Sequence, residues 1–209
     1  MLAGSIPGNI GFLTNLVLMD LSGNNLSGNI PQTLSNITRL REMSIADNLL
    51  VGSIPEELEQ LTDISLMFLG GNSLSGTIPT TLLNLSYIQI LDLGINMLSG
   101  KLPSDIGHML PSIQWLILGE NKLDGHIPDS FGNASELELV DWSSNSFTGQ
   151  IPSYLGKLHK LSHLNLGRNK LEAKRQSKMA IFKCIKPLSS RNALIIWKST
   201  TRTSAEFCW

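Results

Sequence analysis

The 209-residue chain reads as an α/β solenoid, a right-handed superhelix of stacked coils with short parallel β-strands on its concave face. Three features lead to that reading. Asparagine recurs at Asn24, Asn48, Asn72, Asn96, Asn121, Asn145 and Asn169, at spacings of 24, 24, 24, 25, 24 and 24. Apolar residues stand eight, five and three positions before each of these Asn, and another stands two after it. Gly and Pro follow at +4 and +7 in six units: Gly28/Pro31, Gly52/Pro55, Gly76/Pro79, Gly100/Pro103, Gly125/Pro128 and Gly149/Pro152. A fixed period of this length belongs to proteins whose units bury their apolar edges only against one another.

Each part of the unit has a physical role. The L-x-L core, such as Leu91-Asp92-Leu93, alternates inward and outward as a short strand. The Asn sits where the chain turns inward, and its amide can satisfy backbone groups of adjacent coils that would otherwise be buried unpaired. Seven in register predict an internal hydrogen-bonded ladder. Gly supports the bend that follows. Pro fixes the chain where the coil turns outward. The remaining apolar positions, more widely spaced, suit a helix or 3₁₀ turn on the convex side. The extra residue of the 25-residue unit, near Met109-Leu110-Pro111, is expected to be absorbed there.

Charge is low and unevenly placed. Only 16% of residues are charged and the formal net charge is −1, which gives no basic footprint for nucleic acid. From Met1 to Leu171 there are 8 Lys+Arg and 15 Asp+Glu; from Glu172 to Trp209 there are 8 and 2. Both cysteines, Cys184 and Cys208, fall in the second stretch. The chain therefore divides into a repeat array at 1–171 and a non-repeat basic tail at 172–209. No apolar run reaches the roughly 18 residues of a membrane span, and the amino-terminal residues do not look like a signal peptide.

The stretches Leu26-Ser27-Gly28-Asn29-Ile30-Pro31 and Leu74-Ser75-Gly76-Thr77-Ile78-Pro79 resemble the signature of plant-type leucine-rich repeats. The resemblance covers essentially all of 1–171, with Met19 and Met43 in place of a strand Leu and Leu102 in place of Ile. A narrower resemblance, carried by residues 102–111 and 164–173, is to cereal receptor-like kinases of the immune-receptor subgroup. Those proteins have a secreted repeat ectodomain, one membrane helix and a cytoplasmic Ser/Thr kinase. The resemblance implies a peptide or protein ligand, a co-receptor kinase as a second partner, and a place on the extracellular side of the plasma membrane. It implies that this chain corresponds to an internal piece of the ectodomain, without the cysteine-bearing caps, so that apolar edges are exposed at both ends. A stand-alone repeat protein, such as an extracellular enzyme inhibitor or adaptor, is the rival reading, and a non-functional truncated product is another.

The outward strand positions supply the candidate ligand-binding face. Six residues before each Asn the chain reads Leu18, Glu42, Leu66, Ile90, Trp115, Leu139 and His163; four before, it reads Asp20, Ser44, Phe68, Asp92, Ile117, Asp141 and Asn165. Leu66, Phe68, Ile90, Trp115 and Ile117 are expected to form an exposed apolar cluster, bordered by Glu42, Asp92 and Asp141, in the manner of a binding anchor with a polar rim. Ser22, Asp92 and Asp141 read as solvated. Four N-x-S/T acceptors for N-glycosylation occur at Asn25, Asn36, Asn84 and Asn133; the last three share one convex-side phase, which would leave the concave face open.

No catalytic, metal or cofactor site emerges. His159 and His163 have metal-pair spacing, but in repeat phase one belongs to a turn and the other to a strand, whereas the spacing works only on a helix. His108 and His126 read as isolated and solvated. The sequence holds no phosphate-binding loop, kinase signature or nucleophile elbow.

The tail has three readings: a basic disordered terminus, a membrane-surface segment lacking a clear amphipathic period, or a segment read out of frame. The third is favoured. A one-nucleotide shift after Lys174 forces Trp at Met179–Ala180 and permits the family's Asp, Phe, Leu and Cys at the family's spacing. Long-read sequencing of the transcript across codon 174 is expected to show a second supported frame; one uninterrupted frame removes the idea.

Overall fold

The computed structural model describes residues 1–172, so the tail reading lies outside the described residues apart from Glu172. Those residues form a solenoid of stacked coils with two parallel sheets. The concave sheet holds seven strands: Leu18–Asp20, Glu42–Ser44, Leu66–Phe68, Ile90–Asp92, Trp115–Ile117, Leu139–Asp141 and His163–Asn165. They pair in order and in phase, with Trp115 opposite Ile90 on one side and Leu139 on the other.

The asparagine ladder is present in every coil. Asn96 is typical. Its Oδ1 accepts the Leu74 N–H of the preceding coil at 2.9 Å, and its Nδ2 donates to Leu69 O in that coil and to Leu93 O and Gly94 O in its own, each at 3.1 Å. Asn48, Asn72, Asn121, Asn145 and Asn169 repeat the arrangement. Asn24 accepts from Leu2 N and donates to its own coil's carbonyls, Leu21 O and Ser22 O.

The turn into each ladder Asn carries a cost the spacing did not announce. The residue just before it is left-handed in all seven coils: Gly23, Asp47, Gly71, Ile95, Glu120, Ser144 and Arg168, with φ between 52° and 67°. For Ile95 (φ 53°) the branched side chain makes this a strained choice.

The outer sheet is the element that the sequence reading did not contain. It has eight strands: Ala3–Ser5, Asn25–Asn29, Leu49–Gly52, Ser73–Gly76, Met97–Lys101, Lys122–His126, Ser146–Gln150 and Lys170–Glu172. Its strands are the L-S-G segments, and the Gly that reads as a bend is a left-handed residue inside them (Gly100 φ 88°). Pro then precedes a 3₁₀ helix in an extended conformation, as at Pro31 before Gln32–Asn36 and Pro55 before Glu56–Gln60. These helices line the convex side. The extra residue is absorbed there, as expected: Ile106–Met109 is a turn of α-helix, the one such helix among the described residues.

The core lies between the layers and runs the length of the array, from Ile6 to Leu166. Trp142 stands toward its carboxy-terminal end, edge-on to Phe131 with ring centroids 4.5 Å apart. At the first coil Leu2, Phe12, Leu13, Val17 and Leu18 are exposed, whereas Leu161, Leu164 and Leu171 in the last described coil are partly buried and packed on the core.

Asn96→Ala removes the partner of Leu74 N and of carbonyls in two coils at a site where the residue is 8% exposed. Each orphaned buried group costs about 1–3 kcal/mol. Urea unfolding of the full chain is expected to show a loss of about 3 kcal/mol or more; a loss under about 1 kcal/mol would mean that the ladder is dispensable in this coil.

Candidate concave recognition face

The two outward columns lie side by side across the concave sheet as the repeat phase requires, but only their end members Leu18, Asp20 and His163 are exposed. Leu66, Phe68, Ile90 and Ile117 are buried, and Trp115 is half-buried. The expected single exposed cluster is instead two packed ones. Leu66, Phe68 and Ile90 join Ala46, Ile117 joins Leu139, and Trp115 packs against both. Neighbouring parallel strands lie roughly 4.8 Å apart, so large outward side chains in phase cover one another before any ligand arrives.

A column of small residues makes this possible. Two residues before each ladder Asn stand Ser22, Ala46, Gly70, Gly94, Gly119, Ser143 and Gly167. The side chain four before the next Asn leans over this column. A Cβ at Gly70 would come within 2.8 Å of Asp92 Oδ1, one at Gly94 within 3.1 Å of Ile117 Cγ2, and one at Gly119 within 2.9 Å of Asp141 Oδ1. The column is visible in the repeat, but smallness gains meaning only once the next coil is laid over it.

The acidic border is corrected as well. Asp92 (1% exposed) and Asp141 (4%) are buried rather than solvated. Asp141 is well paired: its Oδ1 accepts from Ser143 N at 3.0 Å and Ser143 Oγ at 2.7 Å, and its Oδ2 from Asn165 Nδ2 at 3.2 Å. Asp92 Oδ1 accepts only Gly94 N, at 2.9 Å, and its Oδ2 has no partner. Burial pushes the Asp92 carboxyl up to about 7; the Gly94 N–H pulls it down, and Asp47 and Asp141 push it further up. Ser22, expected in solvent, is part-exposed and donates to Asp20 Oδ1 at 2.6 Å. Glu42 is half-buried.

The glycosylation acceptors Asn25, Asn36, Asn84 and Asn133 are all exposed. Asn36, Asn84 and Asn133 each close a convex 3₁₀ helix, and Asn25 opens an outer strand. His108 is not isolated, since its Nε2 lies 3.0 Å from Asn133 Nδ2. His126 Nδ1 lies 3.5 Å from Thr148 Oγ1. His159 sits in a turn and His163 on a concave strand. Among the described residues no helix is long and apolar enough to cross a membrane.

The comparisons with known proteins agree with this architecture. The Leucine Rich Repeat family profile matches residues 15–37, 112–134 and 136–158. Solved structures similar to the chain include plant receptor-kinase ectodomains. That of the Arabidopsis thaliana membrane receptor kinase GASSHO1/SCHENGEN3, in complex with Casparian strip integrity factor 2, is 35% identical with a TM-score of 0.78, over 81% of this chain and 20% of that one. That of the Arabidopsis receptor kinase HAESA, in complex with the peptide hormone IDA and the co-receptor SERK1, is 38% identical with a TM-score of 0.78, over 81% and 28%. A plant ice-binding protein is 26% identical with a TM-score of 0.67, over 81% and 62%. No curated protein matches. The chain thus spans 20% and 28% of the two receptor ectodomains it resembles.

The Asp92 geometry has a consequence for stability. A folded-state pKa of about 7 against 3.8 means that the fold favours the protonated carboxyl. That stabilisation is complete below the unfolded value and is lost as pH rises to about 7, by about 1.4 kcal/mol per pH unit at most. Melting of D92N and of the unaltered chain from pH 4 to 8 is expected to show the variant gaining on the parent up to about pH 7 and then holding level. A difference independent of pH would show that the carboxyl is ionised in the fold throughout.

Proposed function

We propose that this chain is a ligand-recognising piece of the ectodomain of a plant receptor-like kinase, and that its concave face engages a peptide or protein. The observation that carries the reading is the likeness, over 81% of the chain, to two receptor ectodomains solved with ligands bound. The concave face fits the role. Its columns vary from coil to coil while the core positions repeat, and Trp115 gives it a half-buried aromatic of the kind that dominates binding energy.

The parent is read as a member of the cereal immune-receptor subgroup, with a membrane helix and a Ser/Thr kinase that lie outside this sequence. The kinase supplies the signal; the repeat array supplies selectivity and the docking of a co-receptor kinase. The array performs no catalysis and sits on the extracellular side of the plasma membrane. Asn36, Asn84 and Asn133, exposed at helix ends on the convex side, are placed to carry glycans away from the binding face.

The test uses the full 209-residue chain, secreted from plant cells behind a heterologous signal and immobilised. A random 12-residue peptide library is selected on it. Enriched peptides are expected whose affinity falls about tenfold in Trp115→Ala and holds in Tyr87→Ala, on the exposed convex side. Mass spectrometry of the same material reads glycan occupancy at the three convex acceptors. Selection that yields no binder, or binders indifferent to Trp115→Ala, would overturn concave recognition, and three empty acceptors would overturn the glycan reading.

A further inference from the structure

Three aspartates hold the same place on the concave sheet, four residues before a ladder asparagine: Asp20, Asp92 and Asp141. Each turns Oδ1 to the N–H two residues on, at 3.0 Å from Ser22 N, 2.9 Å from Gly94 N and 3.0 Å from Ser143 N. Two of the three gain a further donor from the same residue, Ser22 Oγ at 2.6 Å or Ser143 Oγ at 2.7 Å. Asp141 gains a third from Asn165 Nδ2 of the next coil. Asp92 has neither kind. Glycine stands at 94 where the others have serine, and Ile117 stands in the next coil where Asp141 meets Asn165. The most deeply buried carboxyl of the set therefore has the fewest donors, and its Oδ2 is unpartnered. A group in that state costs free energy that a donor from outside would recover.

The surroundings select the kind of donor. Asp47, in the turn after Glu42–Ser44, and Asp141 both act on Asp92 through negative charge. The flanking strands Leu66–Phe68 and Trp115–Ile117 bring no charged residue. Across residues 65–71, 89–95 and 114–120 there is no Lys or Arg; Arg41 lies two coils before Asp92, and His163 and Arg168 three coils after. Small side chains leave the carboxyl bounded by backbone, for both of its oxygens lie within 3.1 Å of where a Cβ at Gly70 would be. Trp115 offers an aromatic face to an alkyl-ammonium or guanidinium stem.

We propose that Asp92 is the anchor of the concave face for a cationic hydrogen-bond donor, a lysine or arginine side chain or free amino terminus of a bound peptide. This rests on the peptide-recognition reading above. The incoming N–H group takes the place that Ser22 and Ser143 fill for the other two aspartates. It reaches Asp92 by displacing a neighbour: Phe68 and Ile117 stand opposite Asp92 on the flanking strands, and Trp115, two residues before Ile117, is the most exposed member of the patch. Where the free carboxyl holds its proton, docking releases that proton to solvent and leaves a carboxylate–ammonium pair. A charge-assisted bond in an apolar setting is stronger and more selective than one on an exposed rim.

The experiment takes the peptides selected on the full chain. They are expected to share Lys, Arg or a free amino terminus at one fixed position. Replacing that group by a neutral one should weaken binding about tenfold on the unaltered chain and leave binding to D92N unchanged, the coupling a double-mutant cycle reads. Affinity for the cationic peptide should rise between pH 5 and 7.5 on the unaltered chain and stay flat on D92N. The variant keeps the shape of the side chain and the oxygen that accepts Gly94 N, and its melt confirms the fold. Enriched peptides without a shared cation overturn the proposal, as does a cation that matters equally on D92N; in both cases loss of binding in Trp115→Ala leaves the peptide reading standing. Peptides indifferent to both Asp92 and Trp115 remove that reading and this one together.

Discussion

Every feature of this molecule depends on one side-chain amide per coil. A coil that turns inward points backbone N–H and C=O groups into an apolar interior, with no strand beside them in their own coil to accept them. The ladder asparagine resolves this from the side: one oxygen takes an N–H from the coil before, and one nitrogen serves carbonyls of two coils. Because the amide spans two coils, it fixes their phase. It also fixes what surrounds it. The residue before it must be left-handed, and Ile95 accepts that strain rather than break the series. An added residue cannot be placed near it, so the longer unit lengthens at Ile106–Met109, on the far side of the core.

Phase-locking then determines the concave face. Once coils stack in register, each outward side chain lies beside its counterparts in the coils before and after, and large ones bury each other. The face is therefore a second packed layer rather than a bare sheet with exposed side chains. The small column from Ser22 to Gly167 gives that layer room. One consequence is economy: a preorganised surface loses little side-chain entropy on binding. Another is that departures from the pattern are felt at once. Asp92 is an ordinary residue for its position, made unusual by a glycine two residues on and an isoleucine in the next coil.

How much of this was legible followed from how far each signal reached along the chain. The ladder, the concave strands, the prolines and the place of the extra residue are all written within one unit or between one unit and the next, and reading down the columns recovers them. The outer sheet was missed for a local reason. Its glycine is left-handed inside a strand, and Gly100 at φ 88° looks in sequence like a bend that ends one. Burial of Leu66, Phe68 and Ile90 was missed for a lateral one, since alternation distinguishes inward from outward but says nothing about what stands alongside. The state of Asp92 needed residues 94, 117 and 165 to be considered together, and the His108–Asn133 contact joins convex turns 25 residues apart.

The fold by itself does not choose a ligand. Receptor ectodomains solved in complexes and a plant ice-binding protein are similar in architecture to the chain, so the ladder and the core are common ground and any selectivity lies elsewhere. On the concave side of this chain the positions free of the ladder and core are the two outward columns and their small companions. There the sequence changes from coil to coil, and the change is not random in its physics. The concave segments of the middle coils lack Lys and Arg, concentrate apolar bulk around Trp115, and leave one buried carboxylate oxygen without a donor. A solenoid under selection for stability alone would more simply keep serine at 94, as it does at 22 and 143, and satisfy the carboxyl internally. Leaving Asp92 short of a donor costs the fold something in every molecule, and a partner that brings an N–H to it turns that cost into selectivity.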